Sequence, residues 1–168
     1  MTSNSSHRRV PRAARPFLHA QYRILAVALV MSLFGAGVWL VSMVFQVREL
    51  GGGPFELSYV ATANAIGLIV ATLVGGAVAD RVRQKYILVA VESGKALAIG
   101  TAAALALTGN LELWHLIVTG AVLGFADGFF YPAYSAMLPS ILPPDVLLAA
   151  NGLEGTLRPT IMQAAGPA

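Results

Sequence analysis

Residues 24–47 read ILAVALVMSLFGAGVWLVSMVFQV, an apolar run without one formally charged side chain. About 20 such residues cross the hydrocarbon core of a bilayer as a helix. The run is longer than the ~7–15 apolar residues of a cleaved secretion signal, and no clean small-x-small cleavage site follows it, so it reads as a retained membrane helix. Similar stretches recur. With the first at Tyr22–Val47, the others lie at Leu57–Ala79, Tyr86–Leu107 and Leu113–Leu138, and a fifth begins near Leu147 and continues toward Ala168. Breakers separate them: Gly51-Gly52-Gly53-Pro54, the charged turn Arg81–Lys85, Gly109-Asn110, and Pro139 to Asp145 with Pro143-Pro144. The reading is an all-α integral membrane protein, with a basic arm over residues 1–21 and membrane helices one to five over 22–168.

Composition agrees. Hydrophobic residues make up 57% of the chain and charged residues 11%, less than half the roughly 25% of a soluble domain. The charge balance is +3, but Arg8, Arg9, Arg12, Arg15 and Arg23 account for much of it and stand together without an acid. A basic arm beside an apolar helix anchors on the cytoplasmic side against anionic lipid; no nucleic-acid motif follows, and nucleic acid is not an expected partner. The second loop carries Arg81, Arg83 and Lys85, while the loop around Asn110 carries no lysine or arginine. Arm and second loop are therefore expected in the cytoplasm, in a multi-pass protein of the cell (plasma) membrane. The absence of cysteine removes disulfides, thiolate metal sites and cysteine nucleophiles.

Ionisable side chains at membrane depth are costly and usually face protein or a water-filled cavity. Five stand out: Glu92 and Lys95 in the third helix, Asp127 in the fourth, Glu154 and Arg158 in the fifth. At about 1.5 Å per residue, Glu92 and Lys95 lie roughly 9 and 14 Å in from Tyr86, and Asp127 roughly 20 Å in from Trp114. Glu154 and Arg158 lie roughly 9 and 15 Å in from Leu148. All five share the cytoplasmic half. Glu92 with Lys95 (i, i+3) and Glu154 with Arg158 (i, i+4) can each close locally. Asp127 has no base on its own helix and is read as functional, either sharing Arg158 with Glu154 or binding a proton.

Gly120, Gly124 and Gly128 form two overlapping GxxxG steps that admit a neighbouring helix. Asp127 projects within about 20° of Gly120 on a 3.6-residue helix, so it is expected to point at protein, with Tyr131 and Tyr134 extending the stripe. Pro132 removes a backbone hydrogen bond and is expected to bend the fourth helix. Asn64 and Gln46 are read as bonding a neighbouring helix, and Trp39 and Trp114 as packing residues or interface anchors. No HExxH or GxSxG motif is present. Gly94-Lys95 fails as a phosphate loop, because Ala96 follows and Val89 replaces the leading glycine. His115 stands alone at a loop edge. No enzyme, metal site or cofactor is expected.

The run Gly75-Gly76-Ala77-Val78-Ala79-Asp80-Arg81-Val82-Arg83-Gln84-Lys85 resembles the signature G-x-x-x-D-R-x-G-R-R/K between helices two and three of the major facilitator superfamily. Gly76, Asp80, Arg81 and Lys85 match; Arg83 and Gln84 replace a glycine and an arginine. Gly76 is expected to permit close packing and Asp80 to pair with a base or a helix N-terminus. Gly128 to Ala133, Ala136 to Pro139, Leu142-Pro143-Pro144 and Leu148 to Leu153 resemble the helix-four-to-five region of the drug, macrolide and siderophore exporters of that superfamily. Gly166-Pro167-Ala168 is similar to the opening of the antiporter glycine-proline motif.

The resemblance implies an export permease of two six-helix halves, working by alternating access on small molecules and usually driven by proton exchange. It places helices one and four at the cavity, favouring Asp127 as a cavity or coupling residue with Arg158 as its candidate partner. The first helix lacks the acid that some proton-coupled relatives carry there. Asp80, in the gating loop, is expected to matter more to transport than Glu92, which has a local partner. Four helices and most of a fifth correspond to part of one half, so the chain is expected to act with a missing C-terminal half or another chain. The alternative is a truncated or assembly-dependent membrane protein that does not transport.

Overall fold

A computed structural model describes residues 16–79 and 81–165, with side chains at 79, 145, 153, 157, 158 and 161–165 outside the description. Asp80, Gly166, Pro167 and most of the basic arm therefore lie outside the described residues, as does the side chain of Arg158. The protein is an all-α bundle, with five helices among the described residues: α1 (Ala20–Glu49), α2 (Pro54–Ala79), α3 (Gln84–Leu107), α4 (Leu113–Ile141) and α5 (Pro144–Ala165). Helices α1 to α4 are each long and apolar enough to cross a membrane. The protein is a multi-pass membrane protein.

The helix ends follow from the breakers, with two corrections. α5 begins at Pro144, three residues earlier than Leu147, because proline is well suited to the first helical position, where its missing N–H has no intrahelical partner to lose. Pro139 does not belong to the turn; it lies inside α4, which runs on to Ile141. Gly51 and Gly109 take φ of +77° and +71°, the left-handed conformation that ends a helix cheaply only at glycine. The amides that follow turn back to free carbonyls, Gly52 to Val47 O at 2.9 Å and Asn110 to Leu105 O at 2.9 Å.

α4 is the central helix. In its most apolar window 44% of residues are buried, against 11% in α2 and α3. Its broadest contact is with α2, followed by α3, while α1 packs mainly on α5. Lipid supplies no hydrophobic drive between helices, so the α2–α4 seam has to rest on close packing and hydrogen bonds. Gly120, Gly124 and Gly128 face α2: a Cβ at Gly120 would lie 2.9 Å from Val60 O, and one at Gly128 2.8 Å from Leu68 O. At Gly124 it would overlap the Asn64 carbonyl, and Gly67 of α2 answers by fitting against the Ala121 carbonyl.

Gly76 does not perform the packing expected of it. It is exposed, with nothing near a Cβ, and the close approach falls to its neighbour Gly75, where a Cβ would lie 3.0 Å from Gly128 O. Pro132 explains that contact. Lacking an N–H, it leaves the Gly128 carbonyl without its helical donor, and the bare Cα of Gly75 fills the space beside it. We expect Gly75→Leu to lower the melting temperature of the protein in detergent by several degrees and Gly76→Leu to change it little. Equal shifts would remove this assignment.

Two apolar clusters close the ends of the bundle. At one, Tyr22, Leu25, Leu29 and Leu33 of α1 pack with Ile87, Leu88, Phe130, Tyr134, Leu138 and Val146. At the other, Met43 and Val47 meet Val60, Ala102, Leu111 and Leu116. The polar chemistry lies between them.

Candidate functional site: an ionic cluster beside an apolar cavity

A cavity of about 460 Å³ opens between α1, α2, α3 and α4. Its α1 wall is built at helical spacing from Ser32, Gly35, Trp39 and Met43, so one stripe of that helix lines it. α2 contributes Ala61 and Asn64, α3 Glu92, Lys95 and Ile99, and α4 Leu123 and Asp127. Gly35 has no atom near the position of a Cβ, which leaves a recess beside Trp39. Trp39, read as packing or anchoring from sequence, is a wall of this cavity.

Lys95 organises the polar end. Its Nζ lies 2.6 Å from Asp127 Oδ1 and 3.4 Å from Glu92 Oε1. It also donates to Ser32 Oγ at 3.1 Å, while Ser32 donates to Glu92 Oε1 at 2.9 Å. The ammonium stands 5.1 Å from the ring centroid of Phe130, a favourable place for a cation. The Lys95 side chain is 12% exposed, and those of Glu92 and Asp127 are 35% and 36%. The Lys95 side chain is thus largely covered, while the carboxylates open onto the cavity. Two carboxylates share one ammonium, so the cluster carries one negative charge when all three are ionised.

This arrangement corrects the local reading of Glu92 and Lys95. The i, i+3 contact exists, yet the shorter ion pair of Lys95 is to Asp127 on the next helix. Lys95 is accordingly a base at Asp127; the side chain of Arg158, the candidate partner, lies outside the described residues. Asp127 points at protein as expected, but it faces α3 and the cavity while the glycines face α2. The stripe beyond it divides: Tyr131 is 39% exposed and Tyr134 is 1% exposed. Tyr134 donates to Glu154, which is buried, and ties α4 to α5. Asn64 donates to Gly120 O at 3.1 Å, the neighbouring-helix bond expected of it, whereas Gln46 bonds Glu49 on its own helix.

Nothing in the sequence marks Ser32 as part of this cluster. For Lys95 and Asp127 the sequence does carry a signal, since their positions along adjacent helices predict comparable depth. Arg81 and Lys85 are exposed at the α2–α3 turn. At the far end, His115 Nδ1 accepts from the Glu112 amide at 3.0 Å, and the Trp114 indole donates to Glu112 at 2.8 Å, so His115 closes the start of α4.

A model of the Major Facilitator Superfamily matches residues 25–167. The chain is also similar to the multidrug efflux pump Tap of Mycolicibacterium fortuitum, 29% identical over 109 residues, covering 65% of this chain and 26% of that protein. The aligned segment thus spans about a quarter of the length of the curated relative. No solved structure matches the chain.

Proposed function

As the chain belongs to the major facilitator superfamily, we propose that it forms the N-terminal part of a small-molecule exporter that works by alternating access and is driven by protons. The observation that carries this reading is the Glu92–Lys95–Asp127 cluster at the edge of an apolar cavity. Two carboxylates with one counter-ion hold a negative charge that a proton or a cationic ligand can neutralise. Asp127 is the coupling carboxylate: a proton arriving there releases Lys95 to Glu92, and its departure restores the 2.6 Å ion pair. The likeness to a multidrug efflux pump supports export as the direction. Gly76, Asp80, Arg81 and Lys85 belong to the gating-loop signature between the second and third helices, and Gly166 and Pro167 to the antiporter glycine-proline motif that follows. The C-terminal part of the permease supplies the opposing wall.

The walls favour a flat apolar body, seated in the recess at Gly35 against Trp39, with a positive charge near the carboxylates. Ethidium fits that description and is fluorescent. Efflux of ethidium from cells producing the gene's full product is expected to stop when nigericin collapses the proton gradient. Asp127→Asn is expected to slow it at least tenfold. Undiminished gradient-driven efflux in that variant would remove Asp127 from the coupling step. Absence of gradient-driven efflux of ethidium and related aromatic cations from the unaltered protein would overturn the exporter reading and leave a non-transporting membrane protein.

A further inference from the structure

α1 packs mainly on α5 and stands across the cavity from the ion pair of α3 and α4. Between Ile24 and Val47 it has no charged residue. Even so, it reaches the ionic cluster through the hydroxyl of Ser32. The direction of those two hydrogen bonds is dictated by chemistry. An ammonium can only donate, so Lys95 gives a proton to Ser32 Oγ. An ionised carboxylate can only accept, so the single proton of Ser32 goes to Glu92 Oε1. Three threonine hydroxyls on the membrane helices turn back to a carbonyl of their own helix: Thr72 to Leu68 O, Thr101 to Leu97 O and Thr119 to His115 O. Ser32 instead bridges two helices.

We propose that Ser32 is a positioning residue of the coupling step, fastening α1 to the Glu92–Lys95–Asp127 cluster while Glu92 is ionised and loosening it when that charge is neutralised. The proposal rests on the exporter reading for its role in transport, while the fastening itself stands on geometry. Hydrogen bonds to an ionised partner are roughly twice as strong as neutral ones, so the tie between α1 and α3 depends on the charge of Glu92. The groups facing Ser32 are Glu92 and Lys95 from α3, with Asp127 of α4 behind Lys95; α2 brings the neutral Asn64 to the same cavity. A proton or cation that neutralises Glu92 thereby frees one cavity wall, a mechanical consequence of local charge.

Two readouts test this. The first is the distance between spin labels at Phe34 on α1 and Leu97 on α3, both exposed, in the full gene product reconstituted in lipid. A single narrow distribution is expected for the unaltered protein and for Ser32→Thr, which keeps the hydroxyl. A broadened one is expected for Ser32→Ala and for Glu92→Gln. The second is ethidium efflux: Ser32→Ala should lower kcat about fivefold with KM changed less than twofold, and Ser32→Thr should restore most of it. A distance distribution in Ser32→Ala equal to that of the unaltered protein would overturn the proposal. If the labels behave as expected but the full product does not transport, the fastening stands and the exporter reading falls.

Discussion

Lys95→Ala is expected to abolish gradient-driven efflux, with a loss of at least a hundredfold, and to destabilise the bundle. A single ammonium serves Asp127, Glu92 and Ser32 and rests over Phe130. Without it, two carboxylates face one cavity with no counter-charge among the described residues. Removing one partner of a fully buried pair costs about 3–5 kcal/mol. Here each carboxylate is about one-third exposed, so screening reduces the expected loss to about 1–3 kcal/mol. A charge-balanced variant separates the two effects. Replacing an ion pair by apolar residues of similar volume is often neutral for stability. Lys95→Met combined with Asp127→Leu should therefore recover much of the thermal stability in detergent and none of the proton-driven transport. Recovery of both would mean that the pair is structural only; efflux by Lys95→Ala near the normal rate would remove the cluster from the mechanism.

The largest structural effect is expected at Gly124. A Cβ there overlaps the carbonyl carbon and oxygen of Asn64 and lies 2.9 Å from its Cα. The obstacle is backbone, so no rotamer change relieves it, and α2 has to move away from α4 along their broadest contact. That movement also strains the Asn64 to Gly120 hydrogen bond. Overpacking a core costs about 1–3 kcal/mol and sometimes more; backbone against backbone belongs at the upper end or beyond. Gly124→Leu should lower the monodisperse fraction on size-exclusion chromatography at least fivefold. Gly100→Leu on α3, where a Cβ meets nothing and the residue is exposed, should leave it unchanged. Equal behaviour of the two variants would mean that the α2–α4 seam is not where the bundle gains its stability.

The sequence by itself determined that this is a helical membrane protein and where its helices lie. Those properties are local. Apolar run length decides spanning, and glycine and proline decide the ends. It also determined the glycine face of α4, because GxxxG spacing places small residues on one side of one helix. Even the local rules left room for error at the prolines: Pro144 opens α5 and Pro139 stays within α4, since a proline can start a helix or be accommodated near its end.

The tertiary structure decided who meets whom. Periodicity places a side chain around its own axis but says nothing about which neighbour stands opposite. For that reason Lys95 looked satisfied by Glu92 one turn away, when its shorter ion pair is with Asp127 across the α3–α4 contact. The choice between Gly75 and Gly76 depended on where the carbonyl left free by Pro132 came to lie. Ser32 was the least legible. A hydroxyl in a membrane helix can satisfy itself on its own backbone, and only the approach of α3 turned this one outward to join the ionic cluster.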